Sequence, residues 1–271
     1  GGNVFDTAYI YNNGKSDYFL GKWIETRNIR DEIVVLAKGA HTPDCHPKKI
    51  RPQLEETLNR MGTTSVDIYC LHRDNTDIPV GDFIDTLNEL KNEGLIGVFG
   101  ASNWSLHRFK EANEYALAND KEPFTVLSNN FSLARMNSPV WPGCFSCSDN
   151  DYVDYIKENQ IAVFPWSSQA RGFFLDGQEF TGAAHVADPN REEQDRVWGS
   201  EENFERRRRC LELAEKKSVD PIQIALAYVL CQQFPTFPLI GPRNFFETEN
   251  SIDALNLALD SKEVAWLNLE S

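Results

Sequence analysis

The sequence predicts an α/β fold of the (β/α)8 TIM-type barrel class, built on a parallel sheet. Short runs rich in Val, Ile and Phe alternate with longer segments of helical period, as in repeated β/α units joined by right-handed crossovers. Polar side chains follow most of these runs, at the strand ends where a β/α barrel builds its active site. The length of 271 residues suits one such barrel, which typically needs about 250 residues.

The predicted strands are continuous apolar runs, as expected of parallel strands that are buried on both faces. They comprise residues 3–5, 32–37, 65–71, 96–101, 124–128, 161–166 and 237–241. A closed barrel has one strand more than this set, and an open sheet would leave its edges unpaired. Because the first run begins almost at the terminus, we expect the first β/α unit to be missing or to lie upstream of residue 1.

Helices are predicted where apolar residues recur at intervals of three and four. Asp220 and Pro221 form a capped helix start. The basic run of residues 205–210 is interpreted as a solvated helix face. The apolar positions are Ile50, Leu54, Leu58 and Met61; Phe83, Leu87 and Leu90; Leu106, Phe109 and Ala112; and Ile222, Ala225, Leu226 and Val229.

One segment lacks any clear period. Residues from about 170 to 203 are rich in Gly, Asp and Glu, and we expect them to form a long loop over the barrel mouth. This excursion is predicted to belong to a single barrel domain that spans residues 1–271.

The amino-acid composition of the chain argues against several classes of function. The formal net charge of −14 repels phosphate backbones, which argues against nucleic acid as a partner. No apolar run reaches the roughly 18 residues of a membrane span, so we expect no membrane partner. Without a visible signal peptide, and with scattered cysteines, the chain is expected to be cytoplasmic. We expect no metal, since Cys144 and Cys147 lack a second ligand pair at zinc spacing. The oligomeric state stays open.

Four polar side chains follow the first three predicted strands. They are Asp6, Tyr11 in the loop beyond it, Lys38 and His72. A phenol has a pKa of about 10 and is protonated at neutral pH, while a nearby ammonium stabilises its phenolate. A carboxylate keeps the ammonium charged, and an imidazole hydrogen-bonds a substrate oxygen. Together these groups suit proton donation to a carbonyl oxygen while a hydride reaches the carbon.

Each of the four residues also has an ordinary interpretation. Asp6 suits a turn or helix cap, Tyr11 a loop aromatic and Lys38 a solvated charge. A histidine such as His72 is often a structural residue with satisfied hydrogen bonds. Their joint placement at successive strand ends favours the functional interpretation over these alternatives.

The chain resembles the aldo-keto reductase family in the order and spacing of its motifs. The stretch "NVFDTAYIYNNGKSDYFLG" is similar to that family's signature, "VVLAKG" to its Lys-bearing strand and "VDIYCLHRD" to its His-bearing strand. "VFGASNWS" and "PLIGPRN" are similar to cofactor-binding segments of the family. The resemblance covers the chain from residue 2 onward. It implies a (β/α)8 barrel, NADPH (NADP+) as cofactor, and reversible reduction of a carbonyl to an alcohol.

The resemblance also implies residue roles. Tyr11 would be the general acid, tuned by Lys38 and Asp6, with His72 orienting the carbonyl. An aromatic face at Phe131 would stack on the nicotinamide. Arg243 or Arg196 would suit the 2′-phosphate, because a guanidinium donates two hydrogen bonds to one anion. The implied cofactor contacts are Ser102, Asn103, Ser128, Trp166, Ser167, Ser168, Gln169, Arg171, Arg196, Gly241, Arg243, Glu247, Asn250 and Ser251. The implied substrate pocket is His41, Trp104 and Trp141.

Two function classes follow. The first is an NADPH-dependent oxidoreductase that acts on small carbonyl and alcohol substrates. The second is an NADP(H)-binding regulatory or sensor subunit on the same fold, with little or no catalysis. The complete set of four residues favours the enzyme, because a binding module has no need of all four.

Overall fold

The computed structural model describes residues 2–175 and 191–270. The chain divides into two compact units, Gly1–Ser128 and Asn129–Ser271. The prediction of one domain over residues 1–271 stays a prediction.

The first unit holds five parallel strands that alternate with helices. The strands are β1 (Val4–Asp6), β2 (Val34–Gly39), β3 (Val66–Leu71), β4 (Ile96–Ala101) and β5 (Val126–Leu127), and they pair in chain order. The helices are α1 (Lys15–Arg27), α2 (Pro47–Met61), α3 (Val80–Asn92) and α4 (Leu106–Ala118). The predicted α/β class with a parallel sheet is therefore confirmed.

The central strands are buried on both faces, as their unbroken apolar runs predict. In β2, Val35, Leu36 and Ala37 are all fully buried. Local signals set the helix ends. Pro47 stands in the first turn of α2, and Gly62 ends it in a left-handed conformation with a φ of 69°.

The second unit holds one short strand, β6 (Ala162–Val163), and six helices within its described residues. These are α5 (Asn150–Asn159), α6 (Arg191–Trp198), α7 (Glu201–Lys217), α8 (Pro221–Leu230), α9 (Phe245–Asp253) and α10 (Ser261–Leu267). Helix α8 begins with the predicted Asp220 cap and Pro221, and Gln223 completes a capping box.

Three predictions are corrected in the second unit. The run 237–241 does not form a strand, although the Phe237 amide donates to the Val163 carbonyl at 2.8 Å. The excursion predicted over 170–203 contains helix α6 and the start of α7, while residues 176–190 lie outside the described part. The basic run is not wholly solvated, because Arg206 is buried with 6% exposure.

None of the helices within the described residues is both long enough and apolar enough to cross a membrane.

Candidate active site

Backbone hydrogen bonds continue past the strand ends of the first unit. The amide of His72 donates to the Gly39 carbonyl at 2.7 Å, and the amide of Ser102 donates to the Leu71 carbonyl at 2.7 Å. The Ser128 amide donates to the Ala101 carbonyl at 2.8 Å in the same way. The residues that follow the strands are therefore held at the carboxyl edge of the parallel sheet, where the sequence places the candidate site.

Lys38 and Asp6 form an ion pair at this edge. The Lys38 ammonium contacts the Asp6 Oδ1, and the Lys38 side chain is only 2% exposed. Burial lowers the pKa of Lys38, but the Asp6 carboxylate and, once Tyr11 ionises, its phenolate outweigh that effect and raise the pKa overall. Burial raises the pKa of Asp6, against the attraction of Lys38. Because the two groups are in direct contact, we treat the pair as ionised.

Tyr11 lies beside this ion pair. The Lys38 Nζ is 5.1 Å from the centre of the Tyr11 ring, and the Tyr11 amide donates to the Ala8 carbonyl at 2.9 Å. Burial raises the pKa of Tyr11, and the Lys38 charge opposes that rise. The phenol is therefore protonated at neutral pH, with an ammonium close enough to stabilise the phenolate.

His72 completes the cluster, which brings all four predicted catalytic residues together. Its ring meets the Tyr11 ring edge to face at 5.5 Å between centroids, and it meets His41 in the same way at 4.8 Å. Burial, followed by the charges of Lys38 and Arg73, lowers the pKa of His72 well below its usual value, so the imidazole is neutral. Its buried Nδ1 has no hydrogen-bond partner among the described residues.

Ser102 and Asn103 lie on the same edge. The Ser102 hydroxyl donates to the Ser128 carbonyl at 2.6 Å, and the Asn103 amide group donates to the His72 carbonyl at 3.3 Å. Both side chains are almost fully buried. The Asn103 side chain is thus tied to the backbone of His72, one of the predicted catalytic residues.

Trp104 is placed differently from its predicted role in the substrate pocket. It is fully buried, packs edge to face on Phe83 and Phe124, and donates its indole hydrogen to the Arg73 carbonyl at 3.1 Å. This geometry makes it a core residue of the first unit. His41, by contrast, is partly exposed beside His72, and its place in the substrate pocket stays a prediction.

In the second unit, the predicted pyrophosphate segment forms a tight turn. Ser167 and Arg171 both adopt left-handed conformations, with φ values of 50° and 51°. The Ser168 hydroxyl donates to the Leu239 carbonyl at 2.9 Å, and Gln169 donates to the Ser251 hydroxyl at 3.5 Å. These contacts join two segments that the sequence assigns to one cofactor.

Arg171 and Trp141 contact each other near this turn. The guanidinium lies 5.6 Å from the Trp141 ring centre and pairs with Glu193 at 3.2 Å. Trp141 is 51% exposed and lies 6.2 Å from the ring of Trp166. The buried indole nitrogen of Trp166 has no partner among the described residues.

Two predicted cofactor contacts are engaged elsewhere in the second unit. Arg196 donates to Ser138 Oγ at 3.0 Å, to the Pro139 carbonyl at 2.8 Å and to the Val140 carbonyl at 3.1 Å. The Arg196 guanidinium therefore binds the loop of residues 138–140 and is not available for a phosphate. Phe131 is 1% exposed and stacks on Tyr228 at 6.2 Å, so its ring packs in the core.

The last predicted cofactor segment lies at the start of α9. Arg243 is exposed and pairs with Glu247 at 3.1 Å, while open space surrounds the Cα of Gly241. Asn250 and Ser251 are buried, and Asn250 Oδ1 has no partner among the described residues. A guanidinium and an unpartnered amide oxygen are thus both present in this segment.

Sequence reasoning missed a group that surrounds the Tyr11 loop. Asp17 is fully buried and Arg60 binds the Tyr9 carbonyl at 2.9 Å. Asp17 stands six residues after Tyr11 on α1, and its only signal in the sequence is an acidic residue in a first turn.

The comparisons with known proteins indicate one family for this chain. The model of the aldo/keto reductase family matches residues 1–268. A norsolorinic acid reductase A from Aspergillus parasiticus is 24% identical over 97% of this chain, and an aryl-alcohol dehydrogenase [NADP(+)] from Phanerodontia chrysosporium is 24% identical over 99%. The chain spans 66% of the length of the first relative and 72% of the second.

Solved structures show the same fold. A crystal structure of an aldo/keto reductase from Klebsiella pneumoniae with NADP and acetate has a TM-score of 0.69 at 18% identity, covering 99% of this chain and 80% of that chain. A thermostable aldo-keto reductase in complex with the inhibitor epalrestat has a TM-score of 0.72 at 21% identity, covering 98% and 81%. These likenesses confirm the predicted barrel class.

Proposed function

The chain belongs to the aldo/keto reductase family, and from that premise we propose that it is an NADPH-dependent oxidoreductase that reduces aldehyde and ketone carbonyls to alcohols. One observation carries the proposal. The buried Lys38 ammonium, paired with Asp6, lies beside a protonated Tyr11 and a neutral His72. The relatives named as reductases and dehydrogenases support the same reaction class.

The proposed proton donor is the Tyr11 hydroxyl. It transfers its proton to the carbonyl oxygen of the substrate, and the adjacent Lys38 ammonium stabilises the phenolate that remains. Asp6 keeps Lys38 charged and in place. His72 is neutral, and its imidazole beside the Tyr11 ring suits a hydrogen bond that orients the substrate.

The donor set fits NADPH. When bound, NADPH supplies the hydride for the carbonyl carbon. In the first unit, Ser102 and Asn103 would hold the carboxamide. In the second, Arg243 would bind the 2′-phosphate, and Asn250 would lie near the adenine. The named complexes of relatives with NADP and NADPH support this cofactor.

We further propose small carbonyl and alcohol compounds as the substrates of the reaction, and the reduced cytoplasm as its setting. The six cysteines are scattered along a chain long enough to need no disulfide staples, which supports that setting.

The experiment is an assay of NADPH consumption with a panel of aromatic and aliphatic aldehydes, with the alcohol product identified by mass spectrometry. We expect stoichiometric alcohol formation by the wild type and its loss in Tyr11→Phe. Tight NADPH binding without turnover on any carbonyl would instead support a regulatory subunit. Tyr11→Phe prepared in parallel also controls for a contaminating reductase.

A further inference from the structure

The loop that carries Tyr11 is held by a network of side chains that the proposed reaction does not use. Arg60, near the end of α2, donates to the Tyr9 carbonyl at 2.9 Å and stacks over the Tyr9 ring at 4.5 Å. The Tyr9 hydroxyl donates to Glu56 at 2.8 Å, and Glu56 pairs with Arg60. Tyr9 stands two residues before Tyr11, so Arg60 binds the loop immediately before the proposed general acid.

A buried carboxylate completes the network from the other side of the loop. Asp17 is fully buried and accepts hydrogen bonds from the hydroxyls of Thr7 at 2.6 Å and Thr57 at 3.1 Å. Arg60 lies 3.5 Å from the same carboxylate. Thr7 precedes Tyr11 and Asp17 follows it, so one carboxylate joins both ends of the loop to α2.

The loop also contacts the strand that carries Lys38. The Tyr9 amide donates to the Lys38 carbonyl at 2.8 Å, while the Tyr9 carbonyl accepts from Arg60. The backbone of Tyr9 is therefore fixed on both sides, once by the Lys38 strand and once by α2. The network thus contacts the Tyr11 loop at a residue that is also bound to the Lys38 strand.

Gly14 shows how closely the network fits the loop. It has a φ of 82°, and a Cβ added there would overlap the Arg60 guanidinium. The positive φ favours glycine, and a larger residue would displace the Arg60 guanidinium from this position.

From these contacts we propose that Arg60 and Asp17 are positioning residues, which hold the Tyr11 hydroxyl at the distance from Lys38 that proton donation requires. The inference rests on the proposed function. The network touches the loop and not the reacting groups, so it acts through Tyr11. A misplacement of about 1 Å caused by a remote substitution costs up to about a hundredfold in rate.

The test compares Arg60→Lys and Asp17→Asn with matched controls. Arg51→Lys changes an arginine on the same helix that pairs with the exposed Glu93, and Asp82→Asn changes an exposed first-turn aspartate of α3. We expect kcat for carbonyl reduction to fall about tenfold to a hundredfold in the two network variants. KM, the NADPH dissociation constant and the controls stay at wild-type values.

A double-mutant cycle separates positioning from folding. Because the network acts through Tyr11, Arg60→Lys has no further effect on the residual rate of Tyr11→Phe. If the two substitutions instead multiply, or if the loss of activity follows the unfolded fraction in urea, then the network only stabilises the fold and the inference is wrong.

A second readout needs no turnover. The ultraviolet titration of wild type minus that of Tyr11→Phe gives the Tyr11 ionisation alone. We expect Arg60→Lys and Asp17→Asn to shift it and Arg51→Lys to leave it unchanged. A protein that reduces no carbonyl but shows this shift contradicts the proposed function and not the positioning. Tyr11-dependent turnover with an unshifted titration and a wild-type kcat in both variants overturns the positioning inference.

Discussion

At the scale of single residues, the candidate active site depends on an ion pair that is largely buried from water. The Lys38 side chain is 2% exposed and that of Asp6 is 20% exposed. Desolvation of either ion alone is unfavourable, and their contact offsets that cost. Each ion therefore compensates the other's charge, and under the proposed mechanism the pair tunes Tyr11.

Removal of Lys38 alone is expected to destabilise the protein. In Lys38→Met the Asp6 carboxylate loses its partner, and we expect the free energy of unfolding to fall by about 3 kcal/mol. The double variant Asp6→Asn with Lys38→Met recovers most of that loss, since no buried charge remains. Urea unfolding at neutral pH measures both. An equal loss in the single and double variants would contradict the ionised pair.

His72 gives a pH dependence with a definite sign. Its pKa in the folded state lies well below the unfolded value of 6.5, so the unfolded state binds more protons as the pH falls through 6.5. This group therefore contributes stability that is present above the unfolded pKa and lost below it. We expect the wild type to lose more stability than His72→Gln between pH of about 7.5 and about 5.5. Urea unfolding of both proteins at the two pH values measures this difference in the loss of stability. Equal losses in the wild type and in His72→Gln would contradict it.

The polar residues at the strand ends could be predicted from the sequence. The packing and hydrogen-bond partners of individual side chains could not. Asp6, Lys38 and His72 follow apolar runs, and parallel strands bring such positions to one edge. The core packing of Trp104 and the loop contacts of Arg196 depend on neighbours that are distant in sequence. No local pattern indicates which carbonyl a long arginine side chain will reach.

At the scale of elements, close packing of α1 on α2 supports the Tyr11 loop. Gly21 on α1 lies against the backbone of Met61, where an added Cβ would overlap the Met61 carbonyl. A change of side-chain rotamer cannot relieve this overlap, because the Met61 atoms involved belong to the backbone. The glycine thus sets the approach of the two helices that flank the loop.

Gly21→Ala is expected to destabilise the protein in spite of helix propensity. Alanine in a helix interior gains up to about 1 kcal/mol over glycine, but forced overpacking costs about 1–3 kcal/mol, so the overlap outweighs the gain. Thermal and urea unfolding measure the net effect, with Lys22→Ala on the exposed face of the same helix as control. A stabilised Gly21→Ala would contradict the close approach.

Strands were easier to predict than helices for a physical reason. Buried parallel strands are apolar at every position, and the predicted strands of the first unit all overlap β1 to β5. Helix α7 was predicted only over its basic run, residues 205–210, because it is mostly charged and its stability draws on pairs such as Arg208 with Glu205 at 2.8 Å. The short helix α6 lies within the polar segment that was expected to be a loop.

At the scale of the whole molecule, cofactor binding couples to the stability of the fold. A ligand that binds only the folded chain stabilises it by about 2.7 kcal/mol at about 100 times its dissociation constant. NADPH is therefore expected to raise the melting temperature. The size of this effect reports the affinity of any variant without an activity assay.

Arg243 is expected to distinguish NADPH from NADH. Its guanidinium is proposed to bind the 2′-phosphate, and a hydrogen bond to a charged group contributes about 1.5–3 kcal/mol. Arg243→Gln should therefore weaken NADPH binding at least about tenfold and leave NADH unchanged. Arg208→Gln, at an exposed arginine that also pairs with glutamates, is the control. Equal weakening for both cofactors would contradict the assignment.

The central claim is that Tyr11 donates the proton to the carbonyl oxygen. The most direct test is the single-turnover rate of aldehyde reduction by Tyr11→Phe that is saturated with NADPH. We expect a loss of about 10²–10⁴-fold relative to wild type, with NADPH affinity and melting temperature unchanged. A Tyr11→Phe protein that reduces the aldehyde at the wild-type rate would contradict the claim.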